Sequence, residues 1–262
     1  MVTSPLITVM VNAVRRSTRG LMRDFVEVEN LQVSLKGPAD FVTKADKRVE
    51  SILFEELKKA RPKFGFHMEE GGDVVGEDPT SRWIIDPIDG TMNFIHGIPH
   101  FGISVALEQQ GEIVAGVIYN PATNELFTGE KGRGAYLDDR RLRVSRRDDL
   151  NDAVIACGLP HRARADHEVF RAELARFQDK VCGLRRFGAA SLDLAFVAAG
   201  RYDGYWERGL AAWDIAAGVI IVREAGGVVG ALDGKKDFMN SGNILAANPA
   251  IYKEMDAELS LA

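Results

Sequence analysis

A mixed fold is expected, an antiparallel-rich α+β half followed by an α/β half, and three observations predict it. Phe101–Glu108 and Glu112–Tyr119 are β-rich runs separated by Gln109, Gln110 and Gly111, the pattern of an antiparallel hairpin. Helical spacing dominates the first 60 or so residues. Beyond Asn151, short apolar runs at Ala153–Cys157, Tyr202–Trp206, Val228–Ala231 and Ile244–Ala247 alternate with helical patterns, as in α/β architectures. The junction falls near residue 150, giving halves 1–150 and 151–262. No internal repeat, low-complexity tract or linker intervenes, so the halves should pack closely.

Ser4 with Pro5 starts a helix, and Leu6, Val9, Met10, Ala13, Val14, Leu21 and Phe25 recur at helical spacing, which predicts one long first helix. Lys36-Gly37-Pro38-Ala39-Asp40 then reads as a polar loop. Thr43 caps a second helix with Val49, Ile52, Leu53 and Leu57 on one face, ending before Pro62. Trp83–Ile85 is an apolar run fit for a buried strand, and Pro87 should stop it, turning the chain at Asp86. Shorter strands are expected around Glu125–Thr128 and Gly134–Leu137.

The chain has 262 residues, and a hydrophobic share of 46% is ample for an extensive core. A formal charge of -5 argues against nucleic acid as the main partner. The two cysteines, Cys157 and Cys182, form no disulfide framework or zinc spacing and are expected to be reduced core residues. Met1–Val14 is followed rather than preceded by arginines, so no signal peptide is expected. No run approaches the roughly 20 apolar residues of a membrane span. A soluble, cytoplasmic protein is expected.

The chemistry concentrates in Trp83-Ile84-Ile85-Asp86-Pro87-Ile88-Asp89-Gly90-Thr91-Met92-Asn93-Phe94. Two acids this close can project toward one point, where their repulsion is costly unless a cation lies between them. Such oxygen ligands suit magnesium. Gly90 allows close backbone approach to a ligand, and Thr91 can open a helical turn whose free amides face an anion. Other acids have ordinary readings too. Glu69 and Glu70 form an adjacent pair at a probable strand end, where acids are usually solvated. Asp214 sits in an apolar stretch as a helix cap or a buried carboxylate needing a partner. Asp46 lies in a helix's first turn, where the helix dipole favours it.

Taken together, DPIDGTMNF, the upstream Glu69–Glu70 pair and the downstream WDIAAGVIIVREAGG resemble the magnesium-dependent, lithium-sensitive inositol monophosphatase family, especially its bacterial members. The resemblance extends from Lys36 to Asn243 and implies a layered αβαβα sugar-phosphatase fold. It implies that Glu69, Asp86 and the Ile88 backbone carbonyl hold one Mg2+, that Asp86, Asp89 and Asp214 hold a second, and that a third, weaker ion lies near Glu69. Gly90 and Thr91 would bind phosphate through their amides. Asp46 and Thr91, with Glu69, would be the catalytic residues that orient and deprotonate the attacking water. Asp89, Ala190 and Glu207 would contact the substrate. Lys36 would lie on a loop beside the site, one residue shorter here than in animal members.

The activity so implied is hydrolysis of inositol monophosphate or a similar polyol phosphate, without a phosphoenzyme. Histidinol phosphate and fructose 1,6-bisphosphate are alternative substrates within the fold. A fold-retaining regulatory protein working through a protein partner is the alternative of another class. The family is commonly homodimeric. Arg185 and Arg186 read as surface or interface cations, or as contacts to a second anionic group. No histidine falls at a matching catalytic position, and His67 reads as a packing residue or a neighbour of the metal ligands.

Overall fold

Residues along a strand alternate between two faces, and here each sheet face is covered by helices. The computed structural model describes residues 4–27, 33–37, 40–160, 167–232 and 237–260, and backbone alone for 33–37 and 40–42. In chain order, α1 (Pro5–Ser17), α2 (Leu21–Val26), β1 (Val33–Gly37), β2 (Asp40–Thr43) and α3 (Lys44–Ala60) come first. Then follow β3 (Phe64–Met68), β4 (Gly72–Val74), β5 (Asp78–Asp89), α4 (Thr91–Ile95), β6 (Gly102–Gln109), β7 (Glu112–Asn120), β8 (Glu125–Glu130), β9 (Gly134–Leu137) and β10 (Arg140–Arg141). The remainder is β11 (Val154–Cys157), α5 (His167–Gln178), β12 (Gly183–Arg185), α6 (Ala190–Ala198), β13 (Gly204–Glu207), α7 (Ala212–Glu224), β14 (Val228–Ala231), α8 (Phe238–Ser241), β15 (Ile244–Ala247) and α9 (Pro249–Leu259).

Strands β3–β10 form one sheet in the order β10-β9-β8-β7-β6-β5-β3-β4, antiparallel except for the parallel pair β3–β5. A second sheet, β12-β11-β13-β15-β14, is parallel across its first three strands and antiparallel across the rest. Three cores separate the layers. Trp83, Ile85, Ile103, Val105 and Val117 on one face of the large sheet pack with Met10 and Val14 of α1 and Val49 and Leu53 of α3. Ile84, Ala106 and Ile118 on the other face meet α6 and α7, which also pack on Tyr205 and Ala246 of the small sheet. The outer face of that sheet, with Trp206 and Leu245, is covered by Phe177 of α5 and by Ile251 and Met255 of α9. The layering is therefore αβαβα, as expected.

Local chemistry explains most boundaries. The Ser4 hydroxyl accepts from the Ile7 amide and Pro5 follows it, which sets the start of α1. The Thr43 hydroxyl and Asp46 carboxylate form a reciprocal capping box at α3. Gln110 (φ 54°) and Gly111 (φ 76°) turn the β6–β7 hairpin with two left-handed residues, matching the strand twist.

Four expectations are corrected. The first helix is two, because the chain breaks after Ser17 and re-enters α2 through Gly20 at φ +87°. Apolar periodicity alone carries no signal for that break. The polar segment around Lys36 is the antiparallel pair β1–β2, whose side chains at 33–37, Lys36 included, lie outside the described residues, as do residues 38 and 39. Pro87 does not stop β5. Asp86 pairs with Ser104 and Asp89 with Gly102, so an extra residue forms a β-bulge that accommodates the missing amide. Cys157 is buried as expected, whereas Cys182 is exposed; both are free thiols.

Helix α7 approaches the large sheet at a glycine. A Cβ on Gly116 of β7 would lie 2.6 Å from the Ala217 carbonyl oxygen and 2.9 Å from its Cα, both backbone atoms. Gly116→Val should therefore lower unfolding stability by about 3 kcal/mol or prevent folding. Urea denaturation checks this, and a midpoint within error of wild type would contradict the packing described.

Candidate active site

The bulge of β5 and four helix N-termini meet in one place. Asp86 is 2% exposed, and its Oδ1 accepts from the Ile88 amide at 3.0 Å. Asp89 faces the start of α6, accepting from the amides of Ala190 (3.2 Å) and Ser191 (2.7 Å) and from the Ser191 hydroxyl (2.5 Å). Asp214, in the first turn of α7, accepts from the Ala211 amide at 2.7 Å. Glu69 follows β3, its amide bonded to the Ile85 carbonyl at 3.2 Å. Parallel pairing of β3 with β5 thus brings Glu69 beside Asp86.

Asp46, fully buried at the start of α3, accepts from the Thr43 amide (2.9 Å) and hydroxyl (2.5 Å). Its second oxygen lies 3.4 Å from Thr91 Oγ1, which also donates to the Ile88 carbonyl at 3.0 Å. Gly90 adopts φ +88° as the N-cap of α4. A Cβ there would lie 3.1 Å from the His100 carbonyl oxygen and 3.2 Å from Ala189 Cβ, so glycine fits both the backbone and the space.

Electrostatically the site is strained by like charge. Burial raises Asp86 well above the ordinary carboxylate range, and Glu69, Asp89 and Asp214 raise it further. Burial lifts Asp89 to about 6 despite its bonds from Ser191 and Ala190. Asp214 is raised well above its ordinary value by the protein atoms around its carboxyl and then by Asp89, against the Ala211 hydrogen bond. Asp46 is pushed up to about 6, chiefly by burial. Among the described residues no lysine or arginine pairs with Asp86, Asp89 or Asp214.

Among the described residues no three His, Cys, Asp or Glu side chains are arranged to hold a metal ion. Asp89 and Asp214 instead turn to helix amides. The donor set still fits a hard cation, because several buried carboxyl groups that repel one another lack a cationic partner, and oxygen is what magnesium takes.

Glu207 ends β13, and its Oε2 accepts from the Tyr205 hydroxyl at 2.5 Å. Ala190 is buried, its amide engaged by Asp89, so two residues assigned to substrate contact bond each other. Arg185 and Arg186 are exposed. His67 bonds Asp73 at 2.6 Å and packs its ring 4.9 Å from Trp213, beside Asp214.

Sequence reasoning missed Ser191 and Asn93. Ser191 anchors Asp89 from 102 residues away, a distance no local pattern reports. Asn93 Nδ2 donates to the carbonyls of His100 and Phe187, both at 2.7 Å, tying α4 to the loop before α6. Its place inside the motif, one residue before buried Phe94, was the available signal.

Comparison with known proteins agrees with this geometry. The family model for the inositol monophosphatase family matches residues 3–261. The chain belongs to that family. Its members are phosphatases acting on phosphate monoesters, and this chain is a phosphomonoesterase. It is 57% identical to an inositol-1-monophosphatase of Mesorhizobium japonicum over 255 residues, 97% of this chain and 96% of the relative. It is 39% identical to the Escherichia coli Nus factor SuhB, again over 97% and 96% of the two chains. Among family structures, the extragenic suppressor protein suhB of Bartonella henselae superposes with TM-score 0.95 at 55% identity, covering 98% of each chain. The Thermotoga maritima IMPase superposes with TM-score 0.88 at 34% identity, also covering 98% of each chain.

The sign of the acid cluster can be tested without metal. A raised folded pKa contributes stability below the ordinary carboxylate value and loses it as pH rises through the folded value. An asparagine in place of Asp214 cannot ionise yet keeps an oxygen for the Ala211 amide. In chelator, Asp214→Asn should therefore gain thermal stability over wild type as pH rises from 4 to 8, reaching about 4 °C. Melting curves across that range check it; a variant less stable than wild type at pH 8 would refute like-charge strain.

Proposed function

We propose that this phosphatase hydrolyses inositol monophosphate or a closely similar polyol phosphate, with two to three Mg2+ ions per site. The observation that carries the reading is the mutually repelling set Asp86, Asp89 and Asp214, the first two buried, with Glu69 acting on Asp86 and Asp214. In this reading Glu69, Asp86 and the Ile88 carbonyl hold one ion, and Asp86, Asp89 and Asp214 another. Bound magnesium lowers the pKa of a coordinated water and neutralises charge developing on the phosphoryl oxygens.

The remaining steps belong to the chain. Gly90 and Thr91 present the first amides of α4 to the phosphate. Thr91 Oγ1 accepts from the attacking water while directing its own proton to the Ile88 carbonyl or to Asp46. Burial supports Asp46 as a base acting through Thr91, because a carboxylate with pKa about 6 takes up a proton near neutrality more readily than an ordinary one. Glu207 accepts from substrate hydroxyls, with Asp89 and the Ala190 backbone beside it. Residues 1–150 would carry the metal and phosphate turn, and 151–262 Asp214 and the substrate pocket.

A homodimer is supported by exposed Ile98 and Phe187, brought near each other because the Asn93 carbonyl accepts from the Ile98 amide and the Asn93 side chain donates to the Phe187 carbonyl. A cytoplasmic setting is supported by two free thiols. Among the described residues no helix is long and apolar enough to cross a membrane. A second, protein-binding role is favoured by the name of the E. coli relative, Nus factor SuhB. Asp86→Asn separates the two roles if it abolishes hydrolysis and leaves binding intact.

Phosphate release from inositol monophosphate should require Mg2+, and Asp86→Asn should lower kcat by about a thousand-fold, on the scale of losing a main electrostatic contribution. Full activity in chelator would overturn the mechanism. Millimolar lithium should inhibit, and indifference to it would remove the magnesium-site reading of the branch. Glu207→Ala should raise KM for inositol monophosphate about ten-fold while kcat changes less, as expected for lost hydroxyl contacts. An unchanged KM would exclude Glu207 from the pocket.

A further inference from the structure

Glu173, in α5, is fully buried and serves no step described so far. Both of its oxygens are nonetheless engaged. Oε1 accepts from Nε of Arg208 at 2.8 Å and from Nη2 of the same guanidinium, and Oε2 accepts from the indole N–H of Trp206 at 3.2 Å. Trp206 is fully buried, and the Arg208 side chain is 15% exposed. Burying an ion pair carries a desolvation cost, and a well-packed apolar pair is often as stable, so stability alone is a weak reason for this one. What the pair adds is direction.

Direction matters because Trp206 and Arg208 flank Glu207. Successive residues of a strand point to opposite faces. Trp206 lies in the outer core of the small sheet and Tyr205 in the inner one, and Glu207 shares the inner face, where it accepts from the Tyr205 hydroxyl at 2.5 Å. Glu173 therefore grips the end of β13 from behind, on both sides of the residue whose carboxyl faces the other way. The room for that carboxyl is narrow. Gly158, just past β11, donates its amide to the Trp206 carbonyl at 3.1 Å, and a Cβ on it would fall 1.7 Å from Glu207 Cδ. Beyond the grip the chain turns through Gly209 at φ +67°, whose amide donates to Asn243 Oδ1 at 2.9 Å.

We infer that Glu173 is a positioning residue for substrate selection: by holding Trp206 and Arg208 it fixes the end of β13, and with it the direction in which the Glu207 carboxylate meets polyol hydroxyls. This role rests on the polyol-phosphate reading of Glu207 above. Without the grip the strand end is free to shift, and a carboxyl seated in so narrow a space shifts with it. Hydroxyl recognition then weakens, while the acids and amides supplied by β5, α4 and α7 stay in place.

The test compares kcat/KM for inositol monophosphate and for phenyl phosphate, whose leaving group has no hydroxyl for Glu207, each with Mg2+. The paired variant Glu173→Leu with Arg208→Met removes both buried charges together, so it should fold, yet it should lose about ten-fold more kcat/KM on inositol monophosphate than on phenyl phosphate, mostly through KM. Arg208→Lys keeps the ion pair but replaces two contacts with one; it should lose about three-fold, and it decides the matter if the paired variant does not fold. A folded variant with unchanged selectivity, or with equal losses on both substrates, would overturn the role. Glu207→Ala run alongside separates the readings. Selectivity unchanged in Glu207→Ala overturns the polyol reading itself, whereas selectivity lost there but kept in the paired variant overturns only the role of Glu173.

Discussion

The structure depends on gathering buried carboxylates that repel one another and still folding around them. What makes this tolerable is the arrangement of helix starts. The first amides of α6 donate to Asp89, the amide before α7 to Asp214, and the amide before α3 to Asp46. A helix N-terminus carries partial positive charge, so each acid is offset by a dipole rather than by a lysine or arginine. That choice has a chemical consequence. An ion-paired carboxylate would be committed to its partner, whereas an acid held by amides keeps lone pairs for a cation. The compensation is incomplete, as the upward displacement of all four aspartates shows.

Positions of those helix starts are set far from the site, in the middle layer. Helix α7 lies against the large sheet where Gly116 offers no side chain, and against α6 where Gly218 does the same. A Cβ on Gly218 would come within 2.5 Å of Leu194 Cβ. Close packing of this kind leaves little freedom to slide, because interiors are dense and a single added methyl is felt. Asp214 is therefore placed by contacts one and more helical turns away from it. The β5 bulge performs the same task for Asp86 and Asp89. A regular strand puts residues three apart on opposite faces, and the extra residue changes that relation.

Legibility of the sequence followed the range of the interactions. Thr43 with Asp46, Ser4 with Pro5 and the Gln110–Gly111 turn are local, and each was readable because its chemistry lies within a few residues. The acids were readable as candidates, since carboxylates in the apolar settings around Asp86 and Asp214 demand an explanation. The break at Gly20 was hidden because Leu21 continues the apolar period across it. Pro87 misled for a related reason. Proline excludes a regular central strand, and only the pairing with β6 reveals that a bulge absorbs the missing amide. The partners of Asp89 and Asn93 were beyond reach: Ser191 and Phe187 lie 102 and 94 residues away, brought near by layer packing that no local pattern encodes.

The Thr91 hydroxyl joins the parts. It has one proton and two acceptors, the Ile88 carbonyl at 3.0 Å and Asp46 at 3.4 Å, so it favours the carbonyl while that oxygen is available. In the proposed reading the Ile88 carbonyl would help hold a cation, and would then be a poorer acceptor for the Thr91 hydroxyl, which would leave Asp46 as its acceptor. Asp46 is prepared for this: its other oxygen is occupied by Thr43, and burial brings its pKa to about 6. Occupation of the acid cluster would then align the proton path as well as the phosphate. In the proposed reading, the Asp46 carboxylate that caps α3 and the Thr91 hydroxyl in the first turn of α4 would, by a change of acceptor, form the route by which a water loses its proton.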